Sequence, residues 1–150
     1  MISLTKEFPN LNQKYLKQIE EIGFDIINNE EYLKQKNYIQ HGKTSIYEHC
    51  ITVTCKCLEI VEKGKYCVNT NKLVRAALLH DYFKYDWHIY AKINGIHKLH
   101  GFYHPNYAAE NASKEFEITE LEKKCYQSSH VSIRFYIPTF KRSLDTYRCR

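Results

Sequence analysis

Residues 71–85 constrain the fold of this sequence most, because a helix over them is apolar around almost its whole circumference. The residues responsible are Leu73, Val74, Ala76, Ala77, Leu78 and Leu79, and Asn71 is placed to cap the helix. A helix that is apolar on every side has to be surrounded by other parts of the chain. The longest unbroken apolar run, residues 76–79, is far shorter than the ~18–20 residues that cross a bilayer. The stretch therefore predicts a helix buried at the centre of an α-helical domain.

Helical periodicity accounts for most of the remaining sequence, and no strand pattern occurs in it. The predicted helices cover residues 11–28, 30–39, 44 or 45 to 63, 71–85, 105–116 and 119–130. Ser45 and Glu48 have the spacing of a capping box, and Pro105 suits the first turn of its helix. Residues 86–103 lack a period and predict a long loop with room for a short turn. We expect an all-α fold, a compact bundle of about six or seven helices.

The composition is that of an ordinary globular protein of 150 residues, 43% hydrophobic and 26% charged. We expect one domain, residues 1–150, since neither a linker nor a repeat divides the chain. The net charge of +5 includes no run of five like charges, so nucleic-acid binding is permitted but not indicated. The N-terminus lacks the apolar core of a signal peptide, which favours the cytoplasm. The six cysteines are expected to be free thiols in that compartment.

Three polar side chains fall on or beside predicted buried helix faces. His49 follows Ile46 by three residues, which places it next to the apolar stripe of its helix. His80 and Asp81 follow directly on Leu79, inside the predicted central helix. A buried carboxylate costs several kcal/mol unless it is paired or binds a cation. Imidazole nitrogens combined with a carboxylate oxygen suit a divalent cation with room for an activated water.

Two explanations of the buried His-Asp pair stay open. In the first, His80 and Asp81 bind a metal ion together with His49. In the second, Asp81 pairs with Lys84 or Arg75, while His80 hydrogen-bonds a backbone carbonyl.

Two further histidines lie on the next predicted helices. His104 is at the start of one and projects over its face of small residues, and His130 ends the other. Either one alone can be a capping or surface histidine. Together with the three residues above, they complete an inward-facing set from four consecutive helices, as in the metal sites of helical bundles.

The sequence around these residues resembles the HD-domain superfamily of metal-dependent phosphohydrolases. The likeness covers residues 40–143 and rests on YEHC at His49, ALLHDYFKYDW at His80 and Asp81, HGFYHPNYAAENA at His104 and SSHVSI at His130. The His-Asp pair within LVRAALLHDYFK, after QHGKTSIYEH and before HGFYHP, makes the pattern specific. The resemblance implies an HD-domain-like bundle with one or two divalent transition-metal ions. Fe, Mn, Zn, Ni and Co are all compatible with histidine-rich ligands.

The resemblance assigns metal-binding roles to the matched residues. It implies that His49, His80 and Asp81 are the first metal ligands, with Asp81 able to bridge two ions. It also implies that His104 and His130 are the histidines that hold a second metal in dinuclear members of the family.

Basic side chains near the motif are the candidates for substrate binding. Lys84 corresponds to the lysine of the family's HDxxK variant, which contacts the substrate phosphate, so Asp81 and Lys84 are the predicted catalytic residues. A solvated helix end is the alternative for Lys84. The candidates at the mouth of the pocket are His41, Lys43 and Arg75, and His100 and Arg134 can also reach a phosphate there. Each of them is otherwise an ordinary surface charge.

The sequence departs from the family pattern at one ligand. The closing Asp of the family, a ligand of the first metal, normally lies beyond the stretch that matches PTFKRS, and the sequence ends at Arg150, at or before that position. Asp145 is early for this role. The alternatives are that Asp145 substitutes, that a water or substrate oxygen completes the site, or that the site no longer catalyses.

We therefore expect a metal-dependent phosphohydrolase that hydrolyses a phosphate ester with a metal-activated water, with a nucleotide or a related phosphorylated small molecule as substrate. The alternative is a catalytically degenerate HD-like module that binds a nucleotide or a partner protein without turnover. A third hypothesis, a basic helical nucleic-acid binder, rests on the net charge and on Lys141, Arg142, Arg148 and Arg150. Neither a membrane nor a particular oligomeric state is indicated.

Overall fold

The structure, a computed structural model, describes residues 2–84 and 100–119, with the backbone alone for residues 100–107. Its elements in chain order are helices α1 (Leu4–Glu7), α2 (Gln13–Ile22), α3 (Phe24–Ile27) and α4 (Glu30–Leu33), a 3₁₀ helix (Lys34–Asn37), strands β1 (Ile39–His41) and β2 (Thr44–Ser45), and helices α5 (Ile46–Gly64), α6 (Thr70–Leu79) and α7 (His100–Glu115). The prediction of an all-α fold is confirmed. The prediction that no strand occurs is wrong, because β1 and β2 form a small antiparallel hairpin.

Helix α5 is the element that local sequence determines most completely. The backbone N–H of Glu48 donates to Ser45 Oγ at 3.2 Å, and that of Ser45 donates to Glu48 Oε2 at 2.8 Å. This is the predicted capping box, which satisfies two backbone donors at the helix start. The helix ends at Lys65, which adopts a left-handed conformation with φ of 50°. The observed bounds, Ile46–Gly64, agree with the prediction.

Helix α6 is buried along its length, as predicted, but it is shorter than the sequence suggested. It begins after Asn69, whose side chain accepts from the N–H of Lys72, and not after Asn71. It ends at Leu79, so the predicted extension to residue 85 is wrong. The carbonyl of Ala77 lies 2.7 Å from His80 Nδ1 and is therefore satisfied by a side chain instead of by a further helical turn.

The N-terminal third of the chain is divided into shorter elements than predicted. The expected helix over residues 11–28 is interrupted at Gly23, where a Cβ would lie only 2.4 Å from Leu78 Cδ1. This close approach to α6 explains why the chain changes direction at a glycine. The segment predicted as a helix over residues 30–39 consists of α4, the 3₁₀ helix and the first residue of β1.

Helix α7 begins at His100, so the predicted start at Pro105 is wrong. Proline suits a first turn because it lacks an N–H, whereas inside a helix it removes one hydrogen bond and crowds the carbonyl four residues earlier. The sequence therefore favoured a start at Pro105, but the helix continues through it. The predicted loop therefore ends earlier than residue 103, and its residues 86–99 lie outside the described part of the chain. The predicted helix over residues 119–130 also lies outside it from residue 120 onward.

The main hydrophobic core lies between α5, α6 and the N-terminal helices, and it includes Ala109 and Ala112 from α7. A smaller cluster next to it contains Ile46, Cys50, Phe83 and Ala108, with Tyr38 packed against it.

The described cysteines agree with the sequence prediction in part. Cys50, Cys55 and Cys57 are free and buried, whereas Cys67 is disulfide-bonded, so the prediction of free thiols is wrong at that residue. No helix in residues 2–84 or 100–119 is long and apolar enough to cross a bilayer.

Candidate metal centre

Three of the predicted ligands converge between the start of α5 and the end of α6. His49 lies in the first turns of α5, His80 caps α6, and Asp81 follows in the next turn. Each offers one donor atom, and these atoms all lie within 4.8 Å of one another. Asp81 is nearly fully buried, while 28% of the His49 side chain is exposed, so the cluster opens toward solvent on the His49 side.

The spacing of the donor atoms fits a single metal ion. Asp81 Oδ2 lies 3.4 Å from His80 Nε2 and 3.6 Å from His49 Nε2. Two donors that each lie about 2.1 Å from one ion are separated by about 3.0–3.4 Å when the angle at the ion is about 90–109°. These two separations are close to those values, and all three donor atoms lie within 4.8 Å of one another.

The hydrogen bonds of His80 leave the correct nitrogen for a metal. Because the carbonyl of Ala77 can only accept, His80 Nδ1 carries the proton at this 2.7 Å contact. In the neutral imidazole the lone pair is then on Nε2, the nitrogen that lies 3.4 Å from Asp81 Oδ2. Histidine ligands are usually fixed in this way by a partner on their other ring nitrogen.

His49 is held in the neutral form that metal ligation requires. Burial lowers the pKa of His49 below its ordinary value, and the neighbouring His80 and His41 lower it further, against the opposing effect of Asp81. At neutral pH the imidazole is therefore uncharged. A lone pair is available without displacing a proton.

The alternative explanation of the His-Asp pair is correct only for His80. The hydrogen bond of His80 to a backbone carbonyl is present, but Lys84 and Arg75, the proposed partners of Asp81, pair with other carboxylates. Arg75 Nη1 donates to both carboxylate oxygens of Asp25, at 2.7 and 2.9 Å, and Lys84 pairs with Glu115.

Gln40 is a neighbour of the cluster that the sequence prediction did not include. Its Nε2 donates to Asp81 Oδ2 at 2.8 Å, and it occupies the inward-facing position of β1. The signal in the sequence is weak, because a three-residue strand offers one alternation of exposed and buried residues. The contact also joins residues 41 positions apart.

Two of the residues predicted at the mouth of the pocket, His41 and Lys43, lie on the β1–β2 hairpin. The His41 ring meets the His49 ring edge to face, with centroids 6.1 Å apart. Lys43 is exposed in the turn of the hairpin, next to Gly42, whose φ of 61° favours glycine. His41 is close to the cluster, and both side chains reach solvent.

The side chain of Lys84 forms an ion pair away from the cluster of His49, His80 and Asp81. Its ammonium group pairs with Glu115 of α7, and 35% of its side chain is exposed. Glu115 lines an open cleft of about 570 Å³ together with Asp25, Asn29, Arg75, Phe116 and Glu117, and none of the three clustered ligands lines it. To contact a substrate at the cluster, Lys84 has to leave Glu115. The catalytic role of Lys84 stays a prediction.

The side chains of the remaining predicted site residues lie outside the described part of the chain. His100 and His104 belong to α7, for which only the backbone is described at these positions. His130, Arg134 and Asp145 lie outside the described residues. Their assignments also stay predictions.

Comparison with known proteins identifies a family for the chain. Residues 46–132 match the family described as the HD domain, a span that includes His49, His80 and Asp81. No curated protein and no solved structure matches the chain.

Proposed function

Since the chain belongs to the HD domain family, whose members are generally metal-dependent phosphohydrolases, we propose that it hydrolyses a phosphate ester at the cluster of His49, His80 and Asp81. The observation that carries the proposal is the convergence of two imidazole nitrogens on a buried carboxylate, with all donor atoms within 4.8 Å. Fe, Mn, Zn, Ni and Co all suit this donor set.

Each residue of the cluster has a defined part in this proposal. A bound divalent cation lowers the pKa of a water and neutralises phosphate charge. Asp81 contributes the negative charge that attracts the cation, and its burial keeps that charge from being screened by water. His80 is fixed by Ala77, and His49 borders the solvent-exposed side, where a substrate can enter.

The proposed reaction is a balanced hydrolysis. The oxygen of a water molecule forms a bond to phosphorus and the ester P–O bond breaks, while the proton that the water gives up ends on the leaving oxygen. His41 and Lys43 on the hairpin supply polar and positively charged groups at the open side, where the phosphate would arrive. Lys84 is proposed as a further phosphate contact and catalytic residue once it exchanges Glu115 for substrate.

A second metal ion is part of the proposal. His104 and His130 would hold it together with Asp81, and Asp145 is the candidate for the closing ligand of the first metal. A second cation would supply further stabilisation of the charge on the attacking and leaving oxygens. Metal stoichiometry distinguishes the two arrangements, because a mononuclear site takes one equivalent.

The proposed substrate is a nucleotide or a related phosphorylated small molecule, with neither a membrane nor nucleic acid as partner. We also propose the cytoplasm as the compartment. The free thiols of Cys50, Cys55 and Cys57 support it, because reducing compartments keep cysteines as thiols, whereas the disulfide at Cys67 does not.

Phosphate release tests the proposed activity. The full chain, stripped with a chelator and reloaded in turn with Mn²⁺, Co²⁺, Zn²⁺, Ni²⁺ and Fe²⁺, is assayed on a panel of nucleoside mono-, di- and triphosphates and sugar phosphates. We expect phosphate release for at least one combination of metal and substrate. Asp81→Asn should lower it by about 10²–10³-fold or more, since it removes the charged ligand but preserves the shape.

The matched control is Asp25→Asn, which makes the same chemical change at the carboxylate paired with Arg75, outside the cluster. It should retain activity. Metal binding without turnover on any compound would instead support the degenerate binding module. Activity that is insensitive to both the chelator and Asp81→Asn would contradict the proposal.

A further inference from the structure

One oxygen of Asp81 lies between three nitrogen atoms. Gln40 Nε2 donates to Oδ2 at 2.8 Å, and the same oxygen faces His80 Nε2 at 3.4 Å and His49 Nε2 at 3.6 Å. Gln40 is only 5% exposed. Its amide therefore contacts the carboxylate inside the protein, where water does not compete for the hydrogen bond.

The hairpin gives Gln40 a fixed position relative to α5. Strand β1 pairs with β2 through Ile39 opposite Ser45 and His41 opposite Thr44. The backbone N–H of Ile46, the first residue of α5, also donates to the carbonyl of Tyr38 at 2.8 Å. The segment that carries Gln40 is thus attached directly to the start of the helix that carries His49.

An amide is the appropriate neighbour for a carboxylate that must stay charged. An ionised carboxylate only accepts hydrogen bonds, and its burial is costly unless donors compensate. Lysine or arginine would donate but would also cancel the negative charge that attracts a cation. The amide of Gln40 donates without cancelling it, and it limits rotation of the carboxylate about its own axis.

We propose that Gln40 is a positioning residue, which holds the Asp81 carboxylate in the orientation that closes the metal site. The inference rests on the proposed function, because it assumes that a metal ion binds at this cluster. Partners that orient ligands in this way typically change metal affinity by about 10–100-fold when they are removed.

Gln35 provides a matched control for Gln40. It is also a buried glutamine, fully so, and its Nε2 donates to the carbonyl of Tyr32 at 3.3 Å instead of to Asp81. Replacement of either glutamine by methionine removes a buried amide of the same size from the same region. Only the change at Gln40 removes a contact of the carboxylate.

The test is Co²⁺ binding to the full chain, measured by titration calorimetry and by the visible absorption of the bound ion, which reports its coordination. We expect Gln40→Met to weaken binding by about 10–100-fold and to alter the spectrum. Gln35→Met should leave both close to those of the wild type, even where its thermal stability falls by the same amount. Gln40→Asn, which keeps the amide but shortens the side chain, should weaken binding too and serves if the methionine variant does not fold.

The outcomes separate the two proposals. Wild-type protein that binds no Co²⁺ would refute the metal site itself. If the wild type binds Co²⁺ and both Gln40 variants bind it equally tightly, only the role of Gln40 is overturned. Equal weakening in Gln40→Met and Gln35→Met would also overturn that role, because it would reflect a general loss of packing.

Discussion

The pKa of the Cys57 thiol depends on the burial of this residue in α5. Its side chain is nearly fully buried, and burial raises the pKa of the thiol from 9.0 to about 12. The unfolded chain loses the thiol proton near pH 9, whereas the folded protein keeps it. The difference in pKa between the folded and the unfolded chain therefore contributes to the free energy of unfolding below pH 9, and this contribution is lost as the pH rises toward 12.

Cys57→Ala should therefore be less destabilising at high pH than at neutral pH. We expect the difference in free energy of unfolding between wild type and variant to shrink between pH 7.5 and pH 10.5, by at most about 2 kcal/mol. Urea denaturation at the two pH values measures it. Leu58→Ala, a buried neighbour without a titrating group, should show the same difference at both. If the difference in free energy of unfolding between wild type and Cys57→Ala were the same at both pH values, this account would be contradicted.

The residue scale also shows what the sequence could predict of the site. His49, His80 and Asp81 were predicted because charged or polar groups next to apolar helix positions need a partner. Gln40 was not, since nothing local distinguishes a glutamine that contacts Asp81 across 41 positions from one that faces solvent. Local patterns identify a buried charge but not the neutral group that donates to it.

At the scale of elements, predictability follows the range of the interactions. The start of α5 depends on Ser45 and Glu48, three residues apart, and was predicted correctly. The break at Gly23 depends on its approach to Leu78, and the end of α6 depends on a side chain bond of His80. Neither contact is contained in helical periodicity, so both boundaries were predicted wrongly.

The capping box of α5 gives a prediction for an element. Ser45→Ala should lower the free energy of unfolding by about 1 kcal/mol, because it leaves the N–H of Glu48 without its side-chain acceptor. Ser45→Asp, which retains an acceptor, should lower it by less. Thermal and urea unfolding measure both, with Thr44→Ala, at an exposed neighbour, as the control. Equal stability of Ser45→Ala and wild type would show that the cap contributes nothing.

At the scale of the whole molecule, the candidate site joins segments that are distant in the chain. The hairpin provides Gln40 and His41, α5 provides His49, and the turn after α6 provides His80 and Asp81. Helical periodicity predicted the all-α class, and the HD-like motif selected His49, His80 and Asp81 as one set, without Gln40. The orientation of each side chain, and the ion pairs that keep Arg75 and Lys84 away from Asp81, depend on tertiary packing that one sequence does not encode in any local pattern.

The most direct test of the metal centre is equilibrium dialysis of the full chain against Co²⁺, followed by elemental analysis. We expect at least one equivalent per chain in the wild type and in Asp25→Asn. We expect a large loss in Asp81→Asn and His80→Gln, which replace a carboxylate and an imidazole by a neutral, weakly coordinating amide without a large change in size. One equivalent of Co²⁺ bound to the wild type would indicate a mononuclear site, and two equivalents a dinuclear site. Absence of bound metal in the wild type, or equal binding by Asp81→Asn, would contradict the metal centre.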